Sequence, residues 1–196
     1  MAIFPIFYFP PISYFQELLK QENIILENAE NLVKQSYRNR CEIVSANGKL
    51  NLIIPLQHSG NRKMKDIKIS NSENWQHLHL KSIKTAYQRS PYFEYYEDHF
   101  VKLYQTKQNY LLDFTLETMQ KSFDIFKIPF EYSLSNEYKT EYEYDFRNKF
   151  SAKELQKNNI NPYIQVFSDR MEFQKDVSII DLICNIGTNC ATYLKK

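Results

Sequence analysis

A single Asn-Gly pair, Asn47-Gly48, lies between two runs in which apolar residues alternate with other residues. The first run is Cys41–Ala46 and the second is Lys49–Leu56. Asn-Gly is a preferred centre of the type I′ turn, because both central residues of that turn take positive φ angles. The sequence therefore predicts an antiparallel hairpin, and its turn fixes the register of the two strands. The polar, basic segment Gln57–Lys65 that follows is predicted to be a loop.

The residues before the hairpin have a strand, helix, strand pattern. Ile3–Phe9 is β-branched and aromatic and stops at Pro10-Pro11, which favours a strand. Ile12–Lys20 has apolar residues at helical spacing, and Asn23–Glu27 is a short apolar run bounded by polar residues. This order predicts the start of a βαβ unit.

The middle of the chain is predicted to be helical. Glu73–Tyr87 has an apolar helical face, and Ser70 lies three residues before Glu73, as in a capping box. Ser90-Pro91 is typical of the start of the next helix, since proline is tolerated at the first helical position. Tyr110–Phe126 also has helical periodicity.

The C-terminal third is less regular. Ser135–Lys149 is charged and tyrosine-rich without a clear period, so we expect a loop or a weakly ordered insertion. Pro162–Phe167 predicts a strand, and Ser178–Asp181 predicts a capping box that opens a helix ending at Gly187. Residues 1–196 are therefore predicted to form a single domain of mixed α/β class, with α+β as the alternative. It has an N-terminal strand, helix, strand and hairpin, a helical middle, and a C-terminal strand and helix.

Charge and composition exclude several classes of protein. The chain has 25 Lys+Arg against 23 Asp+Glu, a formal net charge of +2, which is too few uncompensated cations for a nucleic-acid binder. Its longest apolar stretch falls far short of the roughly 20 residues of a membrane span. With only three glycines, the chain has no P-loop or Rossmann fingerprint. The N-terminus lacks the features of a secretory signal, and the three cysteines do not form a disulfide framework, so we expect a cytoplasmic protein. The sequence does not identify a cofactor.

A basic cluster precedes the hairpin. Lys34, Arg38 and Arg40 put three cations beside Asn39 and Tyr37, although the chain has few arginines. Guanidinium groups bind phosphate and carboxylate in two-point contacts, and an amide can both donate and accept hydrogen bonds. These five residues are predicted to bind an anionic small molecule, such as a nucleotide sugar. The alternative is that the two arginines lie on a solvated face or pair with Glu27 and Glu30.

Histidine and acidic residues in the helical middle are the candidates for proton transfer. His79 and Tyr87 share one face of the predicted helix, and Asp98 follows in the next helix. We predict His79 or Asp98 as the catalytic proton carrier and Tyr87 as a substrate contact. The alternative is that His79 is a packed core residue. His77 and His79 lie about 200° apart on a helix, so no metal site is predicted.

These residues occur in an order that resembles the WbqC-like family. The resemblance is carried by Tyr37-Arg38-Asn39-Arg40, Asn47-Gly48, Trp75, His79, Ala86-Tyr87 and Ser90-Pro91-Tyr92-Phe93. It continues near the C-terminus in Tyr163–Phe167, Ser178–Leu182, Asn185 and Gly187. The family is named from a surface-polysaccharide (O-antigen) gene cluster.

The resemblance implies an enzyme of surface-polysaccharide biosynthesis, a transferase that moves an acyl or aminoacyl group to an activated amino sugar. Longer members of the family have an Asp-Asp segment where this chain reads Glu27-Asn28-Ala29-Glu30. Asn28 and Ala29 lack the carboxylates of that Asp-Asp segment. This difference favours the alternative, which is a non-catalytic binding or scaffold protein of the same pathway.

Overall fold

A computed structural model describes residues 1–57, 60 and 62–196 and has a mixed α/β fold, as predicted. The strands are β1 (Ala2–Pro5), β2 (Ile24–Glu27), β3 (Arg40–Ser45), β4 (Gly48–Ile53), β5 (Ser133–Leu134) and β6 (Tyr144–Asp145). The α-helices are α1 (Ile12–Leu18), α2 (Trp75–Tyr87), α3 (Phe93–Gln105), α4 (Leu111–Phe126), α5 (Ala152–Leu155), α6 (Ile179–Ile186) and α7 (Cys190–Leu194). Short 3₁₀ helices cover Met64–Asp66 and Gly187–Asn189.

A four-stranded parallel sheet contains the two N-terminal strands and two short strands from later in the chain. Its strand order is β5-β2-β1-β6, and every neighbouring pair is parallel. The predicted βαβ start is confirmed: α1 connects β1 to β2, with Ile3 opposite Ile25. Ile3 and Phe4 are fully buried, as expected for a central parallel strand covered on both faces.

The strand predicted over Ile3–Phe9 is shorter than expected. It ends at Pro5 because the next backbone N–H groups bond to other elements. Tyr8 donates its N–H to the Tyr37 carbonyl over 3.0 Å, and Phe9 donates to the Thr118 hydroxyl over 3.3 Å. The chain leaves the sheet at this point and enters the aromatic core.

The predicted hairpin is present, but its turn differs. Ser45 pairs with Gly48, so the connecting residues are Ala46 and Asn47, and of the turn residues Gly48 alone has a positive φ, +99°. A type I′ turn would need positive φ at both central residues. The Ser45 hydroxyl instead accepts the Asn47 N–H and donates to the Gly48 carbonyl, which stabilises this turn locally.

The three central helices form near their predicted positions, but the N-caps of the first two differ from those predicted. α2 begins at Trp75, with Asn74 as its N-cap, and the Ser70 hydroxyl bonds to Ser72 instead of capping the helix. α3 begins at Phe93, whereas the hydroxyl of Ser90 donates back to the Tyr87 carbonyl.

The C-terminal predictions are partly wrong. Pro162–Phe167 forms no strand: Tyr163 and Gln165 bond to Asp181, while Ile164 is 80% exposed and no described strand pairs with the segment. Ser178 caps α6 by accepting the Ile180 N–H, and the helix ends at Gly187, as predicted. The Asp181 carboxylate does not complete the capping box, because it is buried against Tyr163 and Gln165.

Two predicted loops contribute to the fold. Ser135–Lys149 contains β6, which extends the parallel sheet, so part of this segment is not a loop. Within Gln57–Lys65, three residues lie outside the described part of the chain: His58, Ser59 and Asn61. The predicted loop overlaps the 3₁₀ helix that begins at the buried Met64.

Candidate functional site

The carboxyl ends of three parallel strands converge on one buried carboxylate. Glu27 ends β2 and is fully buried. Ser135, which follows β5, donates its hydroxyl to Glu27 Oε1 over 2.6 Å. Arg147, which follows β6, donates from Nη1 to Glu27 Oε2 over 3.1 Å. Open α/β sheets commonly bind ligands at this edge.

Arg147 is held in place from several directions. Its guanidinium also donates to both oxygens of Asp145 and to the Lys139 carbonyl. The group lies over the rings of Tyr138 and Tyr142, at 4.5 Å and 5.4 Å from their centroids. Arg147 is therefore a fixed structural cation with its charge compensated by carboxylates.

The structure contains a cavity of about 700 Å³, which we call the basic cavity. Its described polar side chains are two cations and four carboxamides, with no carboxylate among them: Asn31, Lys34, Gln35, Asn39, Gln57 and Arg62. Such a lining presents positive charge together with donors and acceptors for neutral polar groups. The cavity is suited to an anionic ligand that carries hydroxyl groups.

Backbone pairing holds the walls of the basic cavity. Asn39 donates from Nδ2 to the Ile54 carbonyl over 3.0 Å, and its own carbonyl accepts the Ile54 N–H over 2.8 Å. Arg62 offers its carbonyl to the Leu32 N–H. Gln35 has a φ of +56°, a conformation that non-glycine residues adopt infrequently and that is often found at functional sites.

A second cavity of about 560 Å³, the edge cavity, is lined by Arg147, Tyr138, Glu30, Lys63 and Lys65 among others. Asn31 lines both cavities. Asn31 also pairs with Lys63 in an isolated antiparallel bridge, so this pair forms a boundary that the two cavities share.

The structure distributes the predicted anion-binding residues over several places. Lys34 and Asn39 line the basic cavity. Arg38 is buried and makes a two-point contact with Glu30, from Nε over 2.8 Å and from Nη2 over 2.7 Å, which is the pairing considered as the alternative. The Arg40 guanidinium lies over the Tyr37 ring, 5.3 Å from its centroid, and the Arg40 Nε is buried with no partner in the described part of the chain.

The predicted proton carriers lie apart from the basic cavity. His79 is 6% exposed, and its Nδ1 is hydrogen-bonded to the Tyr8 hydroxyl over 2.9 Å. Burial lowers the pKa of His79 to about 4. Tyr87 is also buried, and its hydroxyl accepts the Val44 N–H. Asp98 is exposed on α3. The catalytic roles of His79 and Asp98 stay predictions.

Sequence analysis missed Arg62, Gln57, Tyr138 and Arg147 as site residues. Arg62 and Arg147 are two of only six arginines, and that scarcity was the available signal. Both lie in segments predicted as loops, where the sequence pattern does not indicate which side chains face a cavity.

The three cysteines are buried and free, and burial raises the pKa of each thiol. None of them has the exposed, low-pKa environment of a nucleophilic thiolate. Over residues 1–57, 60 and 62–196, the structure contains no cluster of three His, Cys, Asp or Glu residues placed for a metal ion. No helix in that part of the chain is long and apolar enough to span a membrane.

The fold and the site define a mixed α/β protein with a basic cavity that shares Asn31 with a second cavity at the carboxyl edge of the parallel sheet. The chain belongs to the WbqC-like protein family, whose model matches residues 7–148. The match covers the hairpin, the basic cavity and α2 to α4, whereas the C-terminal residues 149–196 lie outside it. Neither the curated proteins nor the solved structures give a significant match.

Proposed function

We propose that this protein binds an anionic sugar derivative, such as a nucleotide sugar, in the basic cavity and acts in surface-polysaccharide biosynthesis of the O-antigen type. The supporting observation is the lining of that cavity, where Lys34 and Arg62 face the same space as four carboxamides with no described carboxylate. The family supplies the pathway, since it takes its name from an O-antigen gene cluster.

Each kind of lining side chain matches a different part of such a ligand. Lys34 and Arg62 provide charge-assisted hydrogen bonds to phosphate or carboxylate oxygens. The carboxamides of Asn31 and Gln35 can both donate and accept, which suits sugar hydroxyls, whereas the Gln57 Nε2 already donates to the Ile69 carbonyl. A cytoplasmic location is part of the proposal, because three free cysteines are compatible with a reducing compartment.

Transfer of an acyl or aminoacyl group to an activated amino sugar is the enzymatic form of this proposal. Such a transfer needs a group that accepts a proton from the attacking amine. His79 is buried and hydrogen-bonded to Tyr8, and Arg38 is engaged with Glu30. This placement favours the alternative form, in which the protein binds the sugar derivative without catalysis.

Calorimetric titration with inorganic pyrophosphate and with UDP-N-acetylglucosamine tests the proposal. We expect Lys34→Ala and Arg62→Ala each to weaken binding of both probes by about tenfold, the loss of one charged hydrogen bond. Lys84→Ala is the matched control, because Lys84 is paired with Glu97 on α2 and α3, away from the cavity lining. Equal affinities for all three variants and the native protein would contradict the proposal.

A second experiment separates the enzymatic form from binding alone. The protein is incubated with a nucleotide-activated amino sugar and either an acyl-coenzyme A or an aminoacyl donor, and the sugar is analysed by mass spectrometry. A mass increase that is lost in Lys34→Ala supports transfer at the basic cavity. Binding without any mass increase supports the non-catalytic form for these donors.

A further inference from the structure

Tyr138 lies at the edge cavity in an unusual setting for an exposed aromatic residue. Its side chain is 54% exposed and lines that cavity. The ring lies over the Arg147 guanidinium, 4.5 Å from its centre. Arg147 is itself fixed by Asp145 and Glu27, so the tyrosine ring rests on a rigid support.

A supported, accessible ring is a preorganised surface for a planar ligand group. Aromatic side chains stack on nucleobases with little dependence on base identity, because every base has a π face. Asn136 and Asn148 line the same cavity, and their carboxamides can bond to the base or the ribose.

The edge cavity adjoins the basic cavity along one short piece of backbone. Asn31 lines both spaces and pairs with Lys63. Arg62 lines the basic cavity, whereas the next residue, Lys63, lines the edge cavity. Successive side chains of extended backbone point to opposite sides, which explains this division. A ligand at the shared wall can contact cations from both cavities.

We propose that the two cavities together bind a nucleoside diphosphate group, with the diphosphate at Lys34 and Arg62 and the base stacked on Tyr138. This inference rests on the proposed function and adds the residue that recognises the base. Nucleotide sugars and coenzyme A both contain a nucleoside diphosphate group. The positive charge of the cavities fits either ligand, so the choice between them is left to the binding experiment.

Calorimetric titration of the full chain with pyrophosphate, UDP, GDP and coenzyme A tests the inference. Tyr138→Ala is expected to weaken the preferred nucleotide by about tenfold and to leave pyrophosphate binding unchanged, since only the base contact is removed. Tyr138→Phe and Tyr138→Trp should keep the native affinity, because stacking needs the ring and not the hydroxyl. Thermal unfolding of each variant shows that the fold is retained.

Tyr144→Ala is the matched control, because Tyr144 is 50% exposed on β6 and lies outside both cavity linings. It should bind every probe as the native protein does. Preferential binding of UDP or GDP assigns the group to a nucleotide sugar, and preferential binding of coenzyme A assigns it to an acyl donor; either supports the inference.

Two results would overturn the inference, and they can be told apart. If Tyr138→Ala binds the nucleotides as tightly as the native protein while Lys34→Ala and Arg62→Ala bind pyrophosphate more weakly, the stacking role is wrong and the proposed function stands. If neither pyrophosphate nor any nucleotide binds the native protein, the proposed function fails together with the inference.

Discussion

Arg38 and Glu30 form a two-point ion pair in which both side chains are almost completely buried. Glu30 also lines the edge cavity. The Arg38 guanidinium also lies over the Phe7 ring, 5.6 Å from its centroid. These contacts tie the predicted basic cluster to the core.

Removing one partner of the Arg38–Glu30 pair should lower the free energy of unfolding by more than the ion pair itself contributes, because the other charge stays buried. Arg38→Met leaves the Glu30 carboxylate buried without its cation, and we expect a loss of about 3 to 5 kcal/mol in the free energy of unfolding. Chemical denaturation measures the loss. Lys84→Met, which breaks the more exposed pair with Glu97, should cost less than about 1 kcal/mol.

The double variant Arg38→Met, Glu30→Leu provides the control for that prediction. With both charges gone, much of the stability should return, because no buried charge is left unpaired. If the double variant is as unstable as the sum of the two single variants, the ionic coupling between the two residues is negligible.

Stability should fall as the pH drops from about 6.5 to 4, because of His79. Its pKa is lowered to about 4 in the folded protein, so the unfolded chain takes up a proton first. The full shift corresponds to a contribution on the order of 3 kcal/mol, present above pH 6.5 and lost as the pH approaches 4. Urea unfolding at several pH values measures this slope.

The contribution of His79 is isolated by comparing variants. Burial raises the pKa of Asp176 and Asp181, so the folded protein binds these protons before the unfolded chain does. These two residues therefore increase the free energy of unfolding as the pH falls, which opposes the effect of His79. His79→Gln should therefore flatten the decline relative to the native protein. His77→Gln, two residues earlier and exposed, should leave the decline unchanged. Parallel pH profiles for native protein and His79→Gln would contradict the assignment.

Local sequence patterns were sufficient for the elements that depend on local chemistry. The Asn47-Gly48 hairpin, α1 and α4 form close to their predicted bounds because turn residues and helical periodicity specify them. The turn type was wrong, since the Ser45 side chain stabilises a turn in which Gly48 alone of the turn residues has a positive φ.

Features that depend on distant pairing could not be predicted. β5 and β6 have two residues each and exist because they pair with β2 and β1, more than 100 positions away in the sequence. Arg147 becomes a site residue through the same pairing. For Arg38 the sequence offered Glu27 and Glu30 as partners, and only the tertiary fold selects Glu30.

Gly187 should tolerate no side chain. Its φ is +57°, and a Cβ at this position would overlap the Tyr92 ring. We expect Gly187→Ala to lower the free energy of unfolding by about 2 to 4 kcal/mol, from overpacking together with backbone strain. Gly48→Ala is the control, because it also has a positive φ but open space around it, and it should lose only about 1 kcal/mol. Equal losses in the two variants would remove the contact with Tyr92 as the cause.

A carboxylate placed in the basic cavity should weaken anion binding more than the loss of an amide does. Asn39→Asp and Asn39→Ala both remove the hydrogen bond from Nδ2 to the Ile54 carbonyl, and thermal unfolding of the two variants measures the structural cost of each. Only Asn39→Asp adds a negative charge beside Lys34 and Arg62. We expect its Kd for pyrophosphate to be at least about tenfold higher than that of Asn39→Ala. The difference should shrink as the salt concentration rises, because ions screen the charge. Equal affinities of the two variants at low salt would place the bound anion outside the basic cavity.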